Sequence, residues 1–390
     1  MARKTIIDPG WAWDDMYTFS QGVRNGDWLF VAGQGAFDPA GNLIGRDDIK
    51  GQTRKIFDNM KEILGAEGAS LDDVVNLKVF LGSADYVEQV HQVRAEYFKG
   101  DRPSSSGVEA GDLVLEGMLI EIDAVAALGK AKENRVVLDP GWSWDDRFVF
   151  SQGVAAGDLI FVSGQLPLDA QGNLVGEGDI SVQAHQVFEN MQAVLERAGV
   201  SMDDVVMMTS FFADIGNLSG IHEVRRDFFH DPFAASTGVE VRRLPFEGML
   251  LEVDAIAVRG GLRKEVVDPG WAWDDTFAFS QAIRVGNLLF VSGQVAVDPS
   301  GNIVGPGDMA AQTCQVFENL QTVLGMAGAS LDDVVMLHSY LPDVSLYGAG
   351  SEVRAQYLTK DYPASRGVGV KSLAFPGLLL EVDVIAALEG

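Results

Sequence analysis

The octapeptide DPGWAWDD (Asp8–Asp15) returns as DPGWSWDD at Asp139 and as DPGWAWDD at Asp268, spacings of 131 and 129 residues. Other markers keep step. GASLDDVV at Gly68 recurs as GVSMDDVV at Gly199 and GASLDDVV at Gly328, and FSQ recurs at Phe19, Phe150 and Phe279. A glycine-led apolar stretch followed by Glu-hydrophobic-Asp closes each copy, at Glu121, Glu252 and Glu381. A period near 130 is too long for a solenoid repeat and about the size of a small domain. The spacing therefore predicts three tandem domains, residues 1–129, 130–260 and 261–390.

Within copy one, FSQGVRNGDWLFVAGQ reads as a hairpin turning at Asn25-Gly26. The apolar spacing of Ile56, Phe57, Met60, Ile63 and Leu64 predicts a helix ending at Gly65 to Gly68. VVNLKVFL (Val74–Leu81) reads as a strand, residues 86–98 as a second helix, and the tail as two further strands. The predicted order is ββαβαββ, an α+β domain with two helices on one face of a mixed sheet. Two short basic joints, Gly129–Arg135 and Arg259–Glu265, read as linkers. Each is too short to let neighbouring domains separate. Three like domains on such tethers are expected to close as an intramolecular pseudo-threefold trimer, active as a monomer.

Composition narrows the function. Twenty-nine Lys and Arg stand against 56 Asp and Glu, a net charge of −27. That balance repels nucleic-acid phosphates and anionic membranes, so neither partner is expected. The single cysteine, Cys314, reads as a buried small hydrophobe in a reducing compartment, and the absence of a long apolar run points to a cytoplasmic protein. No His/Cys/Asp cluster has metal-ligand spacing and no Gly-rich phosphate loop occurs, so no cofactor is expected.

The blocks FSQGVRNGDWLFVAGQ, QTRKIFDNMKEIL, GASLDDVVNLKVFL, RPSSSGVE and MLIEIDAVA, in that order, resemble the reactive-intermediate deaminase (RidA/YjgF) family, often labelled endoribonuclease L-PSP. The resemblance implies a chorismate-mutase-like fold, clefts between neighbouring domains, and hydrolysis of imines or enamines to ketones and ammonia. It implies that Glu121, Glu252 and Glu381 position water. The family's carboxylate-gripping arginine is missing, its matching positions being Ser105, Ser236 and Ser365; the cation nearby is Arg366 in copy three, one residue further, which is expected to bind substrate although that step along a strand would place it on the opposite face. Hydrogen bonding to substrate is expected of the three serines rather than nucleophilic attack. Arg94, Arg225 and Arg354, on the second helix of each copy, could supply a cation, although an ordinary helix ion pair is the expected reading.

His91 and His222 hold one helix position where copy three has Ser351. The family commonly has asparagine there, near the cleft, and histidine suits proton transfer near neutral pH. The FSQ phenylalanines Phe19, Phe150 and Phe279 correspond to a cleft-lining position of the family. Trp13, Trp144 and Trp273 form either an aromatic wall, with Asp14, Asp145 or Asp274 nearby, or together with Trp11, Trp142 and Trp271 a staple sealing the domain interface. Because each cleft takes walls from two unequal copies, the three clefts cannot be identical. The leading expectation is a C=N hydrolase acting on a small metabolite. The alternatives are a non-catalytic small-molecule binder and, least favoured because of the charge, a ribonuclease.

Overall fold

The computed structural model describes residues 4–13, 17–143, 148–272 and 277–388. Repeat one begins with a short strand, β1 (Thr5–Ile7), that the sequence reading did not include, so the order is βββαβαββ. Then follow β2 (Gly22–Asn25) and β3 (Trp28–Gln34), α1 (Ile49–Gly65), β4 (Val74–Leu81), α2 (Val87–Tyr97), β5 (Ser104–Glu109) and β6 (Ile120–Ala127). Gly26, with φ +59°, makes the hairpin turn at the expected place. Asp48 caps α1 by accepting from the Gly51 N–H. Buried Gln52 ties the helix to the sheet: it donates to the Gly45 and Gly117 carbonyls and accepts from the Leu119 N–H.

Repeat two supplies β7 (Val136–Leu138), β8 (Gly153–Ala156), β9 (Leu159–Gln165), α4 (Ile180–Glu196), β10 (Val205–Phe212), α5 (Leu218–Phe228), β11 (Ala235–Glu240) and β12 (Leu251–Val258). Repeat three supplies β13 (Glu265–Val267), β14 (Ala282–Val285), β15 (Leu288–Val295), α6 (Met309–Met326), β16 (Val334–Leu341), α7 (Tyr347–Tyr357), β17 (Ala364–Gly369) and β18 (Glu381–Ala387). The first joint is more than a tether, since Gly129–Glu133 forms a turn of helix, α3, that buries Ala131.

Each repeat makes one six-stranded sheet. In repeat one the order is β1-β2-β3-β6-β4-β5, with β4 and β5 parallel and the other pairs antiparallel. One face carries the two long helices over a private core, exemplified by Ile56, Phe57, Leu77 and Ile122. The other faces inward, where Phe30, Phe161, Phe290 and Val125 belong to a core shared by all three repeats. Burial on both faces explains why β4 and β6 are almost continuously apolar.

The ring closes through the same contact three times. Ser151 donates its N–H to Pro103 O, Ser280 to Ala234 O, and Ser20 of repeat one to Pro363 O of repeat three. The basic residue before each first strand reaches back to the preceding repeat. Arg135 binds the Asp72 and Asp101 carbonyls, Lys264 those of Val205 and Pro232, and Lys4 those of Asp332 and Val334. Three α+β units thus form an intramolecular pseudo-threefold trimer. Among the described residues, no helix is long and apolar enough to cross a membrane. Cys314 on α6 is half-buried rather than sequestered in the core.

Candidate functional site

Alternation along the last strand places the candidate acids. In β6, Ile120, Ile122 and Ala124 face the helices, so Glu121 and Asp123 face inward with Val125. Glu121, Glu252 and Glu381 are all buried, at 2–5% exposure. Each reaches across the boundary to the preceding repeat: Glu252 Oε1 accepts the Gly107 N–H at 3.3 Å, and Glu381 and Glu121 accept from Gly238 and Gly367. Burial pushes all three carboxyls up to about 8; nearby Asp123, Asp254 and Asp383 add to the effect, while those N–H groups, Arg366 at Glu121 and Lys78 at Glu252 oppose it. Room for each glutamate exists because a glycine stands beneath it. A methyl group on Gly33, Gly164 or Gly293 would overlap an Oε1 of Glu121, Glu252 or Glu381 respectively. These glycines were missed in the sequence, although a glycine recurring inside a strand (AGQ, SGQ, SGQ) marks such a close approach.

Facing each glutamate is the second helix of the preceding repeat. Arg94 donates from Nη1 to Ser105 Oγ at 3.0 Å, Arg354 from Nη2 to Ser365 Oγ at 3.0 Å, and Arg225 from Nη2 to Ser210 Oγ, not to Ser236, at 2.9 Å. Among the described residues none of the three arginines has a carboxylate partner, which overturns the expected helix ion pair. The side chains turn inward and are almost fully buried. Burial lowers Arg94 to about 9, with Arg102 contributing, and Arg225 to about 10. In repeats one and three the helix therefore brings a guanidinium to Ser105 and Ser365, and in repeat two to Ser210.

Arg366 is corrected in the other direction. It projects toward the pseudo-threefold axis, not into a cleft. Its Nε lies 2.8 Å from Asp123 Oδ2, its Nη2 donates to Tyr340 Oη at 3.0 Å, and its guanidinium sits 4.0 Å over the Phe80 ring. The other inward aspartates have different partners. Asp254 pairs with Lys78 at 3.0 Å and Asp383 with His338 at 2.7 Å.

The histidines line clefts, but as packed acceptors. The Val149 N–H donates to His91 Nδ1 and the Ala278 N–H to His222 Nδ1, each at 3.2 Å, which leaves the ring proton on Nε2. His91 packs against Phe148 and Phe150, and His222 against Phe277 and Phe279. Burial, reinforced by Arg94 and Arg102, lowers His91 to about 3; burial with Arg225 and Arg226 lowers His222 to about 2. Both rings are therefore neutral near pH 7.

The clefts differ in size. The cleft between repeats one and two, lined by His91, Arg94, Ser105, Phe150 and Glu252, encloses about 60 Å³, and so does that between repeats two and three, lined by His222, Arg225, Ser236, Phe279 and Glu381. The cleft between repeats three and one, lined by Ser365, Tyr347, Phe19, Trp13 and Glu121, encloses about 660 Å³. Trp13 and Trp11 divide the readings offered for the tryptophans. Trp11 is buried in its own repeat's core and donates to Glu62 on α1, so it staples its own domain rather than the interface. Trp13 stacks on it at 5.5 Å, donates to Asp38 O, and walls the large cleft. Trp144 and Trp273, with Asp14, Asp145 and Asp274, lie outside the described residues. No group of three or more His, Cys, Asp or Glu among the described residues is placed to hold a metal.

A family model described as Endoribonuclease L-PSP matches residues 12–128, 146–259 and 272–388. A RutC family protein of Pyrococcus horikoshii is 38% identical over 110 residues, which is 28% of this chain and 86% of that protein. A protein of Salmonella typhimurium named 2-iminobutanoate/2-iminopropanoate deaminase is 38% identical over 113 residues, 28% of this chain and 87% of its own. A crystal structure of a chorismatase superposes over 81% of this chain and 93% of its own, with a TM-score of 0.55 and 15% identity, a likeness of fold alone. With three family matches that together span most of its length, the chain belongs to the Endoribonuclease L-PSP family, as a tandem fusion of three RidA-like domains.

Proposed function

We propose that this protein hydrolyses the C=N bond of a small metabolite, releasing ammonia, and that it does so as a monomeric fused trimer. The observation that carries the reading is a buried glutamate with its carboxyl raised to about 8, lining each cleft together with a serine of the preceding repeat. A carboxylic acid that keeps its proton at pH 7 can give it to an imine nitrogen, making the carbon electrophilic. The resulting carboxylate then takes a proton from water as its oxygen adds to that carbon. Return of that proton to nitrogen makes ammonia the leaving group, and as the C–N bond breaks the carboxylate takes the hydroxyl proton, which leaves the carbonyl and restores the carboxylic acid. Bonds and protons balance without a cofactor. Similarity to a named iminobutanoate and iminopropanoate deaminase supports the same chemistry.

The cleft between repeats three and one is the working site in this reading, because a cavity near 60 Å³ has room for only a few waters. Ammonia release above the spontaneous rate from freshly generated imines tests the proposal. Glu121→Gln should remove it, whereas Glu252→Gln and Glu381→Gln should leave most of it. Turnover that survives Glu121→Gln would refute the assignment of the working cleft. Turnover that survives all three changes would refute the mechanism.

A further inference from the structure

Two departures from the repeat lie on the second helix of repeat three, and a third lies on the wall of the cleft between repeats three and one. On the helix wall, His91 and His222 correspond to Ser351, and Val90 and Ile221 to Gly350. On the loop wall, Phe246 and Phe375 correspond to Leu115. The first two come from repeat three and the last from repeat one, and these repeats meet only where the ring closes. In the two narrow clefts the histidine fills the groove and the phenylalanine covers it: Phe148 packs on Phe246 at 6.0 Å and Phe277 on Phe375 at 6.1 Å. Leu115 lines the third cleft, which opens to about 660 Å³, whereas Gly350 and Ser351 line a separate cavity of about 20 Å³ beside Tyr347 and Arg354.

What lines the opened space is aromatic. Trp13 stands 6.3 Å from Tyr17, 6.3 Å from Phe19 and 5.9 Å from Phe37, with Tyr347 opposite on α7. Trp13 is held by its bond to Asp38 O and its stack on Trp11, so the wall is prebuilt. Among the described residues lining this cavity there is no lysine or arginine. Arg354 donates to Thr18 O at 2.8 Å as well as to Ser365 Oγ, and the Ser365 hydroxyl in turn donates to Leu337 O. The corresponding main-chain segments at Val149 and Ala278 turn an N–H to histidine instead. Where serine replaces histidine, the guanidinium thus takes a protein acceptor and is withdrawn from carboxylate binding.

We propose that the cleft between repeats three and one takes a planar, ring-bearing imine or enamine without a carboxylate at the reacting carbon, its ring against Trp13, Tyr17 and Phe19 and its C=N toward Glu121. The substrate class rests on the C=N hydrolysis proposed above. Two imines made in place, one by an amine oxidase from 2-phenylethylamine and one by an amino-acid oxidase from alanine, separate the possibilities. Ammonia release is compared for the full chain, for Leu115→Phe, which narrows the cleft, and for Trp13→Leu in case the first variant misfolds.

The expected result is a kcat/KM at least ~10-fold higher for the phenyl imine, with that advantage lost in both variants. Preference for the alanine-derived imine, or an advantage that survives both variants, overturns the substrate class while leaving C=N hydrolysis standing. If neither imine releases ammonia, the hydrolytic reading falls. Binding heat with phenylacetamide, a neutral ring amide, then decides the site: heat lost in the variants supports a ring-binding cleft, and no heat with the unaltered chain overturns it.

Discussion

Gly164 lies directly beneath the Glu252 carboxylate, so that a single methyl group on the glycine would fill the space of Oε1. The same pairing holds for Gly33 with Glu121 and Gly293 with Glu381. Gly33→Ala should therefore displace Glu121 from the working cleft and lower kcat by ~10-fold or more, with a smaller change in KM. Steady-state ammonia release alongside circular dichroism checks this. Gly164→Ala and Gly293→Ala, at the narrow clefts, should cost stability and little turnover.

The glutamates also set a pH dependence of stability. Each carboxyl has a folded-state value near 8 against an ordinary value of 4.5, so between those values the native state holds protons that the unfolded chain has lost. Stability should fall as pH rises across that window and level off above it, by at most about 1.4 kcal/mol per pH unit per glutamate. Denaturant midpoints from pH 5 to 8.5 measure the slope. Replacing all three glutamates with glutamine should flatten it and raise the midpoint at pH 8.

Neutral, packed histidines predict an unremarkable role in acid-base chemistry. His91→Ala and His222→Ala should each destabilise the fold by roughly 1–3 kcal/mol, because a backbone N–H loses its acceptor and a ring leaves the Phe pair. The pH profile of ammonia release between 5 and 8 should not move. A shifted limb in either variant would restore the histidine to the chemistry.

At the axis, Arg366 and Asp123 are both almost fully buried. Burial works against the Arg366 charge, but Tyr340, Asp123 and Asp383 outweigh it and hold the guanidinium protonated. Arg366→Met should cost about 3–5 kcal/mol by leaving Asp123 unpaired in the interior. Adding Asp123→Asn should recover part of the loss, and urea denaturation of the four combinations gives the coupling directly.

Ring closure from one chain predicts a 42.0 kDa particle by light scattering at micromolar concentration. A stable trimer of chains would contradict closure within one polypeptide. Removing the tie of Lys4 to the Asp332 and Val334 carbonyls, as Lys4→Ala, should weaken the contact between repeats one and three by roughly 1 kcal/mol.

Much of the protein was legible in the amino-acid sequence. The spacing of the DPGW motifs gave three copies, apolar periodicity gave the long helices, the Asn25-Gly26 turn signal gave the hairpin, and alternation in IEIDAVA put Glu121 in step with Asp123. These are local properties, fixed by backbone geometry and by the period of the side chains. β1 escaped because three residues between polar neighbours carry no periodicity, and its strand character comes from pairing with β2. Arg94, Arg225 and Arg354 read as surface helix charges because an arginine at helical spacing looks the same whether it points to water or to a serine on the sheet. Arg366 drew notice as a cation beside a serine, yet one step along a strand sends it to the axis. Only the closed ring brings Tyr347 and Ser365 of the last repeat to the same cleft as Leu115 and Trp13 of the first. A cleft between two domains is a property of the pair, and residues more than two hundred positions apart line one cavity only where repeats three and one meet.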